Sequence, residues 1–164
     1  MKLDRIDLKI LSVIQQDGRI TKQRLAERVA LSPSACFERL RRLEQAGIVA
    51  GYHAELALDR IARNVVVLVE VELAVHSAAA FDTFERALDQ VEEVQDCWSV
   101  GGGTDYFLRV VARDIAHYQS VIDRLLEWDI GIARYQTYVV TKQTKGLPLV
   151  PLRLVLPEGA ADSD

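Results

Sequence analysis

Apolar residues recur at spacings of three and four through the first fifty positions and then change to alternation, so the chain reads as helices in front and a strand-bearing unit behind. Leu3, Ile6, Ile10, Leu11, Val13 and Ile14 form one stripe, which predicts a helix from about Asp4 to Gln16. Asp4 is placed to cap it, Asp7 lies in its first turn, and Asp17-Gly18 supplies the stop. A second, short helix is predicted from Thr21, burying Leu25 and Val29. Ser32 caps and Pro33 opens a third, which runs to Gln45 and ends at Ala46-Gly47. Ile48 to Tyr52 is β-branched and aromatic around Gly51 and reads as a strand leading to a linker that ends near Asn64.

The second half begins with its strongest strand, Val65 to Leu73. Its odd positions are all aliphatic, and the even face carries Val66 and Leu68 before Glu70 and Glu72, so both faces are partly buried. Phe81 to Val91 follows as an amphipathic helix, Val94 to Val100 as a strand, and Gly101-Gly102-Gly103-Thr104-Asp105 as a turn into a strand from Tyr106 to Val111. A helix from about Ile115 to Leu126 buries Tyr118, Val121, Ile122 and Leu125, and residues 132 to 141 alternate as a last strand. The order β-α-β-β-α-β is the ferredoxin-like split arrangement, in which two helices cover one face of a four-stranded antiparallel sheet. The uncovered face, as apolar as the first strand makes it, predicts a homodimer.

The fold class is therefore α+β. The expected divisions are a helical unit at residues 1–50, a hinge at 51–64, a ferredoxin-like domain at 65–145, and a C-terminal arm with an acidic end at 146–164. The arm, Leu147 to Leu156, is apolar and broken by proline, so it reads as an extended segment packing on its own or a neighbouring subunit, followed by a disordered end from Glu158 to Asp164.

Charge alters the picture. The net charge of the 164 residues is −4, but residues 1 to 50 carry 10 Lys and Arg against 6 Asp and Glu, which leaves +4 in front and −8 behind. A basic front on an acidic back suits a nucleic-acid-binding module carried by a separate dimerising or sensing module. No apolar run approaches the roughly 18 residues of a membrane span, and the start shows no signal core, so the expected place is the cytoplasm with no membrane partner. Cys36 and Cys97 stand far apart, without a Cys-x-x-Cys or a His-Cys cluster; both are read as buried thiols, with no disulfide and no metal site.

On the third helix, at 100° per residue, Cys36, Leu40 and Leu43 fall in a narrow arc that must face the other helices. Ser34, Glu38, Arg41 and Gln45 lie opposite, with Phe37 and Arg42 at the sides. Hydroxyl, amide and guanidinium groups on the outer face of a short helix, behind a second short helix and a tight turn, are what a major-groove reader needs. Arg41 is the candidate for a bidentate contact to guanine; Arg39 and Arg42, with Thr21, Lys22 and Gln23 at the start of the second helix, are candidates for phosphates. The candidate DNA-contacting set is Thr21, Lys22, Gln23, Ser32, Ser34, Phe37, Glu38, Arg39, Arg41 and Arg42. The competing reading is a solvated helix whose arginines pair with Glu38 and Glu44 across three or four residues, and Glu38 is read as one half of such a pair.

Several runs together carry a resemblance: Leu3-Asp4-x-x-Asp7-x-x-Ile10-Leu11, Gln16-Asp17-Gly18-Arg19-Ile20-Thr21, Leu31-Ser32-Pro33-Ser34, Arg39-Leu40-x-x-Leu43-Glu44, Gly47-Ile48-Val49-x-Gly51-Tyr52 and Gly102-x-x-Asp105-Tyr106. In these the chain resembles the Lrp/AsnC, or feast-famine, family of regulators from residue 2 to about 145. The resemblance implies a winged helix-turn-helix joined by a hinge strand to a ferredoxin-like sensing domain that dimerises through its sheet. It also implies tetramers or octamers as larger states, a roughly palindromic operator on double-stranded DNA, and a small-molecule effector, an amino acid or a relative of one. Carried over by position, the effector loop is Val100, Gly101, Gly102, Gly103, Thr104, Asp105 and Tyr106, with Thr137 on the last strand. Glycines allow close backbone approach and their N–H groups can receive a carboxylate, while Asp105 can attract an ammonium; the alternative is a flexible hairpin capped by Asp105. The loop departs from the family's usual pattern in its three consecutive glycines, and the arm beyond Gly146 is longer than the resemblance leads one to expect.

An enzyme is disfavoured. The glycine triplet joins two strands instead of opening a helix, no Lys-Ser/Thr pair follows it, His53, His76 and His117 stand alone, and no serine lies in a nucleophile elbow. No cofactor is called for. The remaining alternative to a DNA-binding regulator is a small-molecule-binding module that works through protein–protein contacts.

Overall fold

The computed structural model describes residues 2–146 and 149–152. The expectations for residues 147, 148 and 153–156 of the arm and for the acidic end lie outside the described residues. The chain forms two compact units: residues up to Glu55 with the described residues from Gly146 onward, and Leu56–Lys145.

Within the first unit lie the helices α1 (Arg5–Gln16), α2 (Lys22–Val29) and α3 (Pro33–Gln45). Each begins where a side chain can satisfy an orphan helix N–H. Asp4 accepts from Ile6 and Asp7 at the head of α1, Thr21 from Arg24 at α2, and Ser32 from Ala35 at α3. Ile10, Leu11, Ile14, Leu25, Ala26, Val29, Cys36 and Leu43 form the core, with Leu40, Leu31 and Leu152 packed against it. The short turn between α2 and α3 passes through Ala30 in the left-handed conformation (φ 59°), with the Leu31 amide closing back on the Ala26 carbonyl.

The strand expected at Ile48 to Tyr52 does not form. The amides of Ile48 and Val49 both turn back to the Leu43 carbonyl, and Gly47 takes φ 69°, so the chain leaves α3 through a tight turn. Beyond it, the segment has no antiparallel neighbour among the described residues, and an extended stretch without a ladder partner is not a strand. Tyr52 is drawn back instead, its hydroxyl donating to Glu44 at 2.8 Å. Val150 of the arm exchanges two hydrogen bonds with the Gln15 side chain, at 3.0 and 3.4 Å, which ties the arm to α1.

The second unit opens with a one-turn helix, α4 (Leu58–Ile61), not foreseen from the sequence, and continues as β1 (Val65–Leu73), α5 (Ala78–Leu88), β2 (Val94–Ser99), β3 (Tyr106–Ala112), α6 (Ile115–Glu127) and β4 (Ile132–Val139). The sheet is antiparallel in the order β2-β3-β1-β4, with Val69 opposite Leu108 on one side and Thr137 on the other. Val67, Val69, Val71 and Leu73 of β1 and Tyr106, Leu108, Val110 and Ala112 of β3 meet Phe84, Leu88, Tyr118, Val121, Ile122 and Leu125 from the helices. The opposite face carries Val66, Leu68, Phe107, Val111, Trp98 and Tyr138, of which Trp98 is 50 % exposed and Tyr138 48 %. Cys36 is buried as expected; Cys97 is not, because it lies on the edge strand β2.

Candidate DNA-reading helix and effector loop

The outer face of α3 is as the 100° wheel predicts: Cys36 and Leu43 are buried, while Ser34, Glu38, Arg41 and Gln45 are exposed. Glu38, Arg39, Arg41, Arg42 and Gln45 line one shallow depression. Arg41 forms no ion pair or hydrogen bond among the described residues. Phe37, at the side of α3, is 37 % exposed, and the Lys22 ammonium at the start of α2 sits 3.8 Å from its ring centroid, which brings those two candidates together. Gln23 is exposed nearby, whereas the hydroxyls of Thr21 and Ser32 serve as helix caps, Ser32 also lying 3.2 Å from the Ser34 hydroxyl.

The other two arginines turn toward α1. One Nη of Arg39 lies 2.5 Å from Asp4 and 2.8 Å from Asp7, and Arg42 reaches Asp7 at 3.3 Å. Their partners are therefore not Glu38 and Glu44 along the same helix; Glu38 makes no salt bridge among the described residues. Asp7 is fully buried and its carboxylate accepts from the Asp4 amide at 3.2 Å, which completes a capping box. Burial alone would raise the Asp4 carboxyl, but the Asp7 amide and the Arg39 guanidinium outweigh it and hold it below the ordinary aspartate value. Sequence reasoning found the cap and missed the interhelical ion pairs, because no local spacing announces a contact across more than thirty residues.

At the far end of β2 the loop Val100 to Asp105 is closed by the Val100 amide on the Asp105 carbonyl, and anchored to β1 by the Asp105 amide and the Thr104 hydroxyl, both donating to the Val71 carbonyl. The Asp105 carboxylate accepts from the Leu73 amide at 2.8 Å and lies 3.0 Å from His76. The Leu73 hydrogen bond first, and then His76, set its carboxyl below the ordinary aspartate range. Gly102 has φ 146°, which favours glycine; a Cβ at Gly101 or Gly103 would meet nothing within 4 Å. The amides of Gly101, Gly102, Gly103 and Thr104 donate to no group among the described residues. Tyr106 is buried, its hydroxyl bonded to Glu85 at 2.7 Å, and burial followed by that carboxylate pushes its ionisation upward. Thr137 makes no hydrogen bond to the loop among the described residues. It lies on β4 opposite Val69, and its hydroxyl meets that of Tyr118 at 2.5 Å. His76 is the contributor that sequence alone did not single out; its segment carries no motif.

Among the described residues no helix is long and apolar enough to cross a membrane, and no three His, Cys, Asp or Glu residues gather as for a metal. Compared with known proteins, residues 3–50 match the winged helix-turn-helix DNA-binding family and residues 66–150 the Lrp/AsnC ligand binding domain. The transcriptional regulatory protein DoeX of Halomonas elongata is 50 % identical over 145 residues, covering 88 % of this chain and 92 % of that protein. The leucine-responsive regulatory protein of Escherichia coli is 38 % identical over 143 residues, covering 87 % of each. Among solved structures, an AsnC family transcriptional regulator from Agrobacterium tumefaciens superposes with a TM-score of 0.87 at 30 % identity, covering 94 % of this chain and all of that one. A transcriptional regulator from Neisseria meningitidis, solved as a complex with L-Met, gives 0.86 at 34 % identity over 94 % of this chain and 99 % of its own. With a candidate reading helix in the first unit, a glycine loop on the ferredoxin-like sheet of the second, and both halves matched in order, the chain belongs to the Lrp/AsnC family of DNA-binding transcriptional regulators and is not an enzyme.

Proposed function

We propose that the protein works as a homodimer on a roughly palindromic operator, with α3 of each subunit in a major groove, and that an amino acid held at the Val100–Tyr106 loop alters its grip on DNA. The observation that carries the DNA part is the outward, unengaged Arg41 on a helix whose apolar arc is buried. Arg41 reads a base edge; Lys22, Gln23 and the exposed part of Arg42 hold phosphates; Ser34, Phe37 and Glu38 lie where base contacts fall. Arg39, held by two carboxylates, supports the helix.

Dimerisation follows from the open sheet face, whose Leu68, Trp98, Phe107 and Tyr138 form an apolar patch flanked by the Arg134–Glu72 and Arg109–Asp96 ion pairs. At the loop, four unengaged amides in a row offer donors for a carboxylate, and the ionised Asp105 beside them favours an ammonium, which is the charge layout of an α-amino acid. Leucine and methionine, named with two of the relatives, are the first effectors to try. As a regulator of a bacterial family it acts in the cytoplasm, where the chromosome lies.

Gel-shift titration against duplexes selected from a random pool tests the reading. Arg41→Ala is expected to lower affinity for the selected operator by about tenfold or more, the discrimination a bidentate guanine contact provides, while a mixed-sequence duplex is bound nearly as before. Undiminished operator binding by that variant overturns the role given to α3.

A further inference from the structure

Asp7 is the one charged residue fully buried among the described residues, and it lies outside the surface to which DNA reading has been assigned. A buried carboxylate is costly unless it is paired and fully hydrogen-bonded. A capping box alone needs no burial, since its exchange with the Asp4 amide can take place at the surface. What Asp7 adds is lateral: one carboxylate oxygen accepts from Arg39 at 2.8 Å, and the other from Arg42 at 3.3 Å. Arg39 and Arg42 are three residues apart on α3, on one flank of the Leu40 and Leu43 arc, so the first turn of α1 grips α3 at two points along its length. A helix held only by an apolar stripe can roll, because apolar contacts have no direction. Two charge-assisted hydrogen bonds to one buried group do have direction. Rolling α3 would break at least one of them and leave part of a carboxylate buried without a partner. The same roll would swing Ser34, Glu38 and Arg41 away from their present bearing.

We infer that Asp7 is a positioning residue for sequence recognition: through Arg39 and Arg42 it fixes the rotation of α3, and with it the angle at which Arg41 meets base edges. The inference rests on α3 being the reading helix, and it concerns specificity more than grip. Asp7 touches no nucleic acid, and its negative charge, if anything, repels phosphates.

The test measures two dissociation constants for full-length Asp7→Asn, one for the selected operator and one for a mixed-sequence duplex, at several salt concentrations. The expected result is a fall of about tenfold in operator affinity, mixed-sequence affinity unchanged or slightly tighter, and an unchanged salt slope, because no phosphate contact is lost. The readout is the ratio of the two constants. Partial unfolding scales both equally and leaves the ratio alone, so a parallel loss means that Asp7 is only a stability residue and overturns the inference; an unaltered or higher ratio overturns it as well. If Asp7→Asn does not fold well enough to titrate, Arg39→Gln, which loosens one of the two grips, must lower the ratio in the same direction or the inference fails. Failure of the α3 reading is recognised separately, by an Arg41→Ala variant that binds the operator undiminished.

Discussion

Asp105 joins two parts of the second unit, since its carboxylate takes the last amide of β1 and faces His76. Its carboxyl is depressed in the folded chain, mainly by the Leu73 hydrogen bond, so its share of stability is fully present above the unfolded aspartate value and is lost as pH falls through the lower folded one. Melting curves recorded from pH 7 down to pH 3 should therefore fall more steeply for the native chain than for Asp105→Asn below about pH 4, with the two curves running parallel above it. Parallel curves throughout would show that the hydrogen bond contributes nothing. At this scale the sequence was informative about residue type and silent about partners. Gly102 and Asp105 could be singled out as loop chemistry, but His76 and Tyr118, which contact Asp105 and Thr137, come from segments more than fifteen residues away, and nothing in their neighbourhood marks them.

Helix ends were legible because a cap is a local event. Asp4, Thr21 and Ser32 each stand immediately before an apolar-periodic run, and each accepts the N–H that the run leaves unpaired. Ser32→Ala removes the side-chain acceptor at the head of α3, so urea unfolding should report a loss of about 1 kcal/mol, and operator affinity should fall as the first turn frays beneath Ser34. Equal unfolding midpoints for the two chains would mean that Pro33 sets the start of α3 by itself. The segment Ile48 to Tyr52 shows the opposite case. Its β-branched and aromatic residues suit a strand, but a strand is a relation between two segments, and no partner stands beside this one among the described residues; the Leu43 carbonyl and Glu44 side chain capture it first. Cys97 was misjudged for a related reason, since its place on an edge strand depends on sheet order, which alternation alone does not reveal.

Over the whole molecule, the β-α-β-β-α-β order gives one covered face and one open face, and the aliphatic even positions of β1 make the open one the surface proposed for association. Trp98, on β2, is its most exposed large residue, so if the proposed dimer forms through this face, Trp98→Glu should convert it to monomer in light scattering at micromolar concentration, with operator affinity dropping because two linked half-sites are no longer engaged together. A variant that stays dimeric would place the interface elsewhere. The arm has a different kind of consequence. Leu152 packs on the core of the first unit and Val150 pairs with Gln15, so the three helices receive part of their packing from residues that follow the second unit in sequence. During synthesis the first unit therefore stays short of these contacts until residues 56–145 have been translated, and a nascent chain can acquire its sheet before its three-helix core is complete.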